Sequence, residues 1–226
     1  MISFGGWNFL FESYGNPQEL ATVPELLMPF TQNMSLIQRT INFVLTVYWR
    51  FFRDFLYLPE HQKIINKYFG DDAPYVKELE QKSSLLILNA ELSLGLSRAL
   101  SNNIITAGGL HLSEPKPLPE DLKKWMDESK DGIIYFSLGS GMRSADLDKE
   151  RVRRLIRTFK KLKQRIIWKW EDDNFPEKTS NIKIGKWWPQ KDLLAHPNVA
   201  LFITHGGLLS TQVCFGNIYL YHIIYK

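Results

Sequence analysis

The chain of 226 residues contains a single cysteine, Cys214, which excludes an internal disulfide framework and any zinc site built on several thiolates. One thiol says nothing about redox compartment. The start, Met1 to Trp7, has neither a basic opening nor a long apolar run closing on small residues, so no signal peptide is legible. A membrane-spanning stretch is missing too. The most apolar long segment, 41–58, carries Arg50, Arg53 and Asp54, each costing roughly 2.5 to 3.5 kcal/mol at the centre of a spanning helix. The closing apolar run, 218–225, includes His222 and is far shorter than the about 20 residues that hydrocarbon requires. It is expected as a strand or an unpaired tail.

Apolar material itself is not scarce. At 44% hydrophobic and 23% charged residues, the chain can build one large or two small cores, which excludes a disordered tail or a collagen-like rod. The formal charge is +4, yet residues 151–170 hold nine basic side chains and no acidic one. The basic excess therefore belongs to one segment and argues against a nucleic-acid-binding protein. Within it Val152, Leu155, Ile156, Phe159 and Leu162 recur at steps of three and four, the pattern of a helix with one buried stripe. Its Arg and Lys residues are expected to splay into solvent.

Two α/β regions flank a proline-rich connection. Ser35 is placed to cap a helical region reaching about Leu58, with Gln38 in the reciprocal position of a capping box. Its aromatics, Phe43, Tyr48, Trp49, Phe51, Phe52, Phe55 and Tyr57, are expected to pack against a large partner surface; a membrane-surface or hydrophobic-substrate face is the alternative. Asn33-Met34-Ser35 is the one Asn-x-Ser/Thr sequon, relevant only in a secretory lumen. The runs 85–89 and 104–107 read as buried parallel strands. Pro115, Pro117 and Pro119 then mark a linker, dividing the chain into 1–112, a linker at 113–120, and 121–226. Beyond it, strands are expected at 133–137, 166–168, 182–184 and 199–204, with a helix over 148–163 and another after His205. This alternation predicts a doubly wound parallel sheet.

Loops at the carboxyl ends of such strands are the natural binding site. Ser137-Leu138-Gly139-Ser140-Gly141 is either a plain turn or an anion contact, in which the glycines allow close backbone approach and Ser140 offers a hydroxyl. Thr204-His205-Gly206-Gly207, with Ser210 one helical turn on, suits a diphosphate if a helix opens near Gly207; otherwise His205 merely caps or packs. In Trp187-Trp188-Pro189-Gln190 one indole face can receive a planar base and Gln190 can pair with its edge, or both tryptophans fill the core.

The run from Trp187 through Gln212, including His196-Pro197-Asn198 and Thr204-His205-Gly206-Gly207, resembles the signature of the UDP-glycosyltransferase family, especially its animal UDP-glucuronosyltransferase-like members. Phe136-Ser137-Leu138-Gly139-Ser140 and the approach Gly108-Gly109-Leu110 to Pro117-Leu118-Pro119 strengthen it. The resemblance implies a GT-B fold of two Rossmann-like domains, both incomplete here. Residues 1–112 would be the later part of an acceptor-binding domain and 121–226 a truncated UDP-sugar-binding domain.

It also implies transfer of a hexosyl or glucuronosyl group from a UDP-sugar to a small lipophilic acceptor, with UDP-sugar as donor substrate and neither resident cofactor nor metal. Trp187 would stack on uracil and Gln190 meet its edge; His205, Gly207, Ser210 and Ser140 would face the diphosphate. His196 is assigned to local structure.

Several departures temper the carry-over. No histidine matches the family's catalytic base, and His61 is expected as a partly exposed helix-end residue. Val213 stands where the family has a ribose-binding glutamate, so weak uridine affinity is expected. Cys214-Phe215-Gly216-Asn217 is expected to interrupt the helix, and no later Asp-Gln pair is present. The complete parent is expected at the lumenal face of the endoplasmic-reticulum membrane. A noncatalytic fragment forming homo- or hetero-oligomers with full-length relatives is the alternative reading, and nucleic acid is not expected as a partner.

Overall fold

The computed structural model describes residues 2–3, 8–17, 19–25, 28–90, 98–177 and 179–216. The expectation for 218–225 lies outside the described residues. Two compact units divide between Leu110 and His111.

In the first unit, strands β1 (Ile2–Ser3), β2 (Leu86–Leu88) and β3 (Ile104–Thr106) form a parallel sheet in that order. Leu86, Leu88 and Ile104 pack with Phe11 and Tyr14, which belong to or follow helix α1 (Asn8–Ser13). Helix α2 (Leu36–Phe52) opens on the expected capping box: the Gln38 amide donates to Ser35 Oγ at 3.3 Å, and the Ser35 amide donates to Gln38 Oε1 at 2.8 Å. A π-helical turn, Arg53–Tyr57, joins it without a break to α3 (Leu58–Phe69), and α4 (Val76–Lys82) follows.

Of the seven aromatic residues expected to pack, Trp49 and Phe52 are half-buried and in edge contact with one another. The other five, Phe43, Tyr48, Phe51, Phe55 and Tyr57, are exposed, as are Leu36, Ile37, Val44 and Val47. The inward side of α2 is polar instead. Asn42, fully buried, accepts from the Glu25 amide at 2.7 Å and donates to the Leu20 and Val23 carbonyls at 2.9 and 3.0 Å. Thr46 donates to Glu25 Oε2 at 3.1 Å, and the nearly buried Arg53 pairs with Asp54 and Glu80. Burial of these groups is tolerable because each finds its partner. These hydrogen bonds tie α2 to the preceding loops.

The second unit opens on the extended segment 112–119, and α5 (Glu120–Asp127) begins where the linker is expected to end. This segment is tied down: Lys191 Nζ donates to Ser113 Oγ and the Glu114 carbonyl, both at 2.7 Å, and the Lys116 amide donates to Asp192 Oδ1 at 2.7 Å. Four parallel strands follow, β4 (Ile133–Ser137), β5 (Arg165–Lys169), β6 (Ile182–Gly185) and β7 (Val199–Thr204), arranged in the order β6-β5-β4-β7.

Alternation along β4 sorts the two sheet faces. Ile134 and Phe136 pack on α6 (Lys149–Phe159) through Val152, Ile156 and Phe159. Ile133 and Tyr135 pack with Leu122 and Met126 of α5, Leu193 and Leu194 of α7 (Gln190–Leu194), and Val213 and Cys214 of α8 (Leu208–Gly216). The stripe on α6 is buried as its periodicity predicts, with Asp148 capping its start. Helix α8 runs through Cys214 to Gly216, so the expected interruption does not occur there. Among the described residues no helix is long and apolar enough to cross a membrane.

Replacing Asn42 with alanine strands one amide and two carbonyls in a buried setting, so Asn42→Ala should lower unfolding stability by at least about 2 kcal/mol. Denaturant titration of the full chain checks this; a loss under about 0.5 kcal/mol would remove Asn42 as the anchor of α2.

Candidate functional site

The order β6-β5-β4-β7 places a switch point between β4 and β7, because the chain leaves β4 in one direction along the sheet and returns to its other edge. Loops leaving adjacent strands at such a point diverge to opposite faces and leave a crevice above the carboxyl ends. A cleft of about 600 Å³ lies there. Its walls come from the turn after β4, the end of β5, the segment after β6, and the junction of β7 with α8. Ser140, Trp187, Gln190, His205, Gly207 and Ser210 all line it.

The glycines of the two loops also make room for a side chain. A Cβ on Gly139 would stand 2.5 Å from His205 Cε1, and one on Gly207 would stand 2.6 Å from His205 Nε2. The imidazole therefore sits in a slot that only glycine leaves open on both sides. Gly139 also has φ +78°, a conformation that L side chains rarely adopt. Helix α8 begins directly after Gly207, so unpaired amides of its first turn open toward the same cleft.

The two tryptophans are divided between core and cleft. Trp188 is held down, its Nε1 donating to the Trp168 carbonyl at 3.2 Å and its ring lying where a Cβ on Gly185 would come within 2.6 Å. Trp187 is 71% exposed, with the Lys169 ammonium 5.3 Å from its ring centroid. Gln190, at the start of α7, donates from Nε2 to Ser210 Oγ at 3.1 Å, joining the first turns of α7 and α8. Burial pushes the Tyr135 hydroxyl up to about 12, partly offset by its hydrogen bond with Ser137. It thus remains a neutral donor, 3.5 Å from Gln190 Oε1.

Three cleft residues escape the sequence reading. Lys169 belongs to the basic run expected in solvent, but at the last position of β5 it is only 7% exposed and faces the cleft. A lysine ending a buried apolar strand, Ile166-Ile167-Trp168-Lys169, is the available signal. Tyr135 and His111 line the cleft as well, with His111 Nε2 3.2 Å from the Leu209 carbonyl.

His196 is a local brace: Nδ1 accepts from the Asn198 amide at 3.2 Å, which leaves Nε2 to donate to Asp127 Oδ1 at 3.1 Å. The Asp127 carboxyl is held below the usual carboxylate range by Lys123 first and by His196 as well. His61 is partly exposed as expected, but it lies inside the unbroken helical run 36–69 and not at a helix end, stacked on Tyr57 with Nδ1 2.9 Å from the Tyr57 carbonyl. Val213 is nearly buried at the cleft wall, among Tyr135 and Phe202. Among the described residues no three or more His, Cys, Asp or Glu side chains are arranged to hold a metal ion.

A family model described as "UDP-glucoronosyl and UDP-glucosyl transferase" matches residues 7–216. The chain belongs to the UDP-glycosyltransferase family. This UDP-glycosyltransferase chain is 34% identical over 205 residues to the UDP-glycosyltransferase UGT5 of Dactylopius coccus, covering 90% of this chain and 39% of that protein. It is 32% identical to the 2-hydroxyacylsphingosine 1-beta-galactosyltransferase of Rattus norvegicus, covering 87% of this chain and 36% of that one. It thus spans under two fifths of the length of these relatives.

Among solved structures, Arabidopsis thaliana UGT89C1 complexed with UDP is similar with a TM-score of 0.51 and 24% identity, over 64% of this chain and 40% of the other. The spinosyn forosaminyltransferase SpnP gives a TM-score of 0.50 at 18% identity, over 68% of this chain and 38% of the other. The shared architecture is the GT-B fold of glycosyltransferases.

Adding a methyl group at the imidazole slot tests its construction. Gly207→Ala should turn the His205 ring out of the slot with little loss of stability. Gly139→Ala should do the same and also destabilise by about 1 to 2 kcal/mol, because of its left-handed backbone. The imidazole resonances of His205 should shift in both variants; an unmoved signal in both would mean that the ring is not held between the glycines.

Proposed function

We propose that residues 111–226 bind the UDP portion of a UDP-sugar in the cleft at the β4/β7 switch point. The complete protein then transfers a hexosyl or glucuronosyl group to a small lipophilic acceptor. The observation that carries this reading is the meeting of Ser140, Trp187, Gln190, His205, Gly207 and Ser210 around one cleft, although they derive from three separate loops.

In this reading Trp187 offers its open indole face to uracil, and Gln190 offers one donor and one acceptor to the base edge. Ser140, Ser210, His205 and the first amides of α8 converge on the diphosphate. The departing UDP gains negative charge as the sugar–phosphate bond breaks. Fixed N–H groups and an imidazole donor at a helix amino terminus stabilise that charge without reorganising. Transfer also requires a base for the acceptor proton. His61 is not proposed for that role, since its ring is stacked on Tyr57 within α3.

Val213 supports a modest affinity. An apolar side chain near the base of the cleft can accept no hydrogen bond from ribose, and the lost charged partner is worth about 1.5 to 3 kcal/mol.

Calorimetric titration of the full chain with UDP tests the reading. Binding should be detectable, and Trp187→Ala should weaken it by roughly 1 to 3 kcal/mol, about 5- to 150-fold, the range for removing an aromatic stacking platform. No UDP binding by the unsubstituted chain, or equal binding by Trp187→Ala, would overturn it.

The same reading assigns the complete parent to the lumenal face of the endoplasmic-reticulum membrane, supported by the likeness to animal members of the family. Antibodies against this chain should then detect a species in intact microsomes that resists protease until detergent is added. Digestion without detergent would contradict the assignment.

A further inference from the structure

Lys169 lies where three parts of the cleft meet. Its ammonium donates to the Gly139 carbonyl at 2.6 Å, lies 3.4 Å from Glu171 Oε1, and stands 5.3 Å from the centre of the Trp187 ring. The lysine side chain is 8% exposed and that of Glu171 14%, so the charge is largely withdrawn from water and balanced beside a carboxylate. A surface lysine would not be fixed in this way; burying an ammonium is tolerated only where hydrogen bonds and an opposite charge replace its hydration.

The partners of this ammonium give the arrangement its meaning. Gly139 is one wall of the His205 slot, so a hydrogen bond that fixes the Gly139 peptide also fixes the width of that slot. Trp187 is the most exposed of the large hydrophobic residues lining the cleft, at 71%, and a cation against one ring face biases the indole toward a single orientation. An exposed aromatic side chain that must be ordered when a ligand arrives lowers affinity; one already ordered does not.

We propose that Lys169 is a positioning residue of the nucleotide cleft, which backs one face of Trp187 so that the other is presented to the base, and at the same time fixes the Gly139 turn beside His205. This rests on the UDP-binding reading above and extends it to a residue outside the loops that carry the ligand contacts. Lys169 acts through its neighbours, and the charge is essential to the first task while a hydrogen-bond donor suffices for the second.

A double-mutant cycle on UDP affinity separates this from a merely structural role. Lys169→Met should weaken UDP binding by the full chain about tenfold, as expected for a loss of ordering near 1.4 kcal/mol. Lys169→Arg, which keeps the cation, should restore affinity to within about threefold. Trp187→Ala should have a smaller effect in the Lys169→Met background than alone, since the interaction between the two residues is already gone.

If Lys169→Met gives no cooperative unfolding transition, the cycle is run with Lys169→Gln, which keeps a donor for Gly139 but not the charge, under the same criteria. Additive losses, or an arginine variant as impaired as the uncharged one, would overturn the inference while leaving the UDP site standing. Failure of the unsubstituted chain to bind UDP would overturn the site itself and this inference with it.

Discussion

The cleft depends on the position of β4. All five of its residues are buried, and it pairs in parallel with β5 on one edge and with β7 on the other. A strand so placed has no freedom to tilt, and its carboxyl end is fixed relative to that of β7 by the register Ser137 to Thr204. The residues that follow these two positions, Leu138-Gly139-Ser140 and His205-Gly206-Gly207, are therefore delivered side by side. Because α6 covers one face and α5, α7 and α8 the other, these four helices leave the space above the junction open. The crevice follows from connection order before any ligand-contacting side chain is chosen.

Given that crevice, the side chains are held by groups whose main service is to one another. The imidazole of His205 needs two glycines, Trp188 needs Gly185, and Gln190 is joined to Ser210 across the first turns of two helices. Such interlocking limits rotamer freedom at the rim of an open cleft, where water would otherwise compete for every polar group. It also places α7 in two roles. Gln190 at its start lines the cleft, while Lys191 and Asp192 hold the segment 113–116 through side-chain-to-backbone and side-chain hydrogen bonds. The connecting segment is thereby part of the second unit's framework.

Much of this unit was legible in the sequence, for physical reasons that also explain what was not. Strands β4 and β7 are short apolar runs bounded by glycine or polar residues, and their limits coincide with the expected ones. Helices α5 and α7 were not anticipated. Each follows a proline, α7 is only five residues long, and a single turn or two of helix gives periodicity too little length to register. The six candidate residues follow from the loops at the strand ends, with their individual roles implied by the resemblance, and the geometry brings all of them to one cleft. Lys169 escapes a reading in which the whole basic run is one solvated face, because the helix ends at Phe159 and the strand that follows obeys a different alternation. The demand that the histidine ring places on Gly139 has no signal in the sequence, since it arises between loops far apart along the chain.

Helix α2 shows where periodicity reaches its limit. Its sequence has a strong apolar stripe, and the ordinary inference is that the stripe faces the core. Periodicity, however, identifies which residues share a face and not which way that face turns. Here the opposite side carries Asn42, Thr46, Arg50 and, in the following turn, Arg53, each with a specific partner on the preceding loops, α1, Asp54 or α4. A fully satisfied Asn and a buried guanidinium between two carboxylates demand directed partners, whereas apolar side chains are indifferent to direction. Phe43, Tyr48, Phe51 and Phe55 lie exposed while the buried polar contacts of α2 are made by Asn42 and Thr46, whose spacing of one turn is the signal the sequence offers for that face.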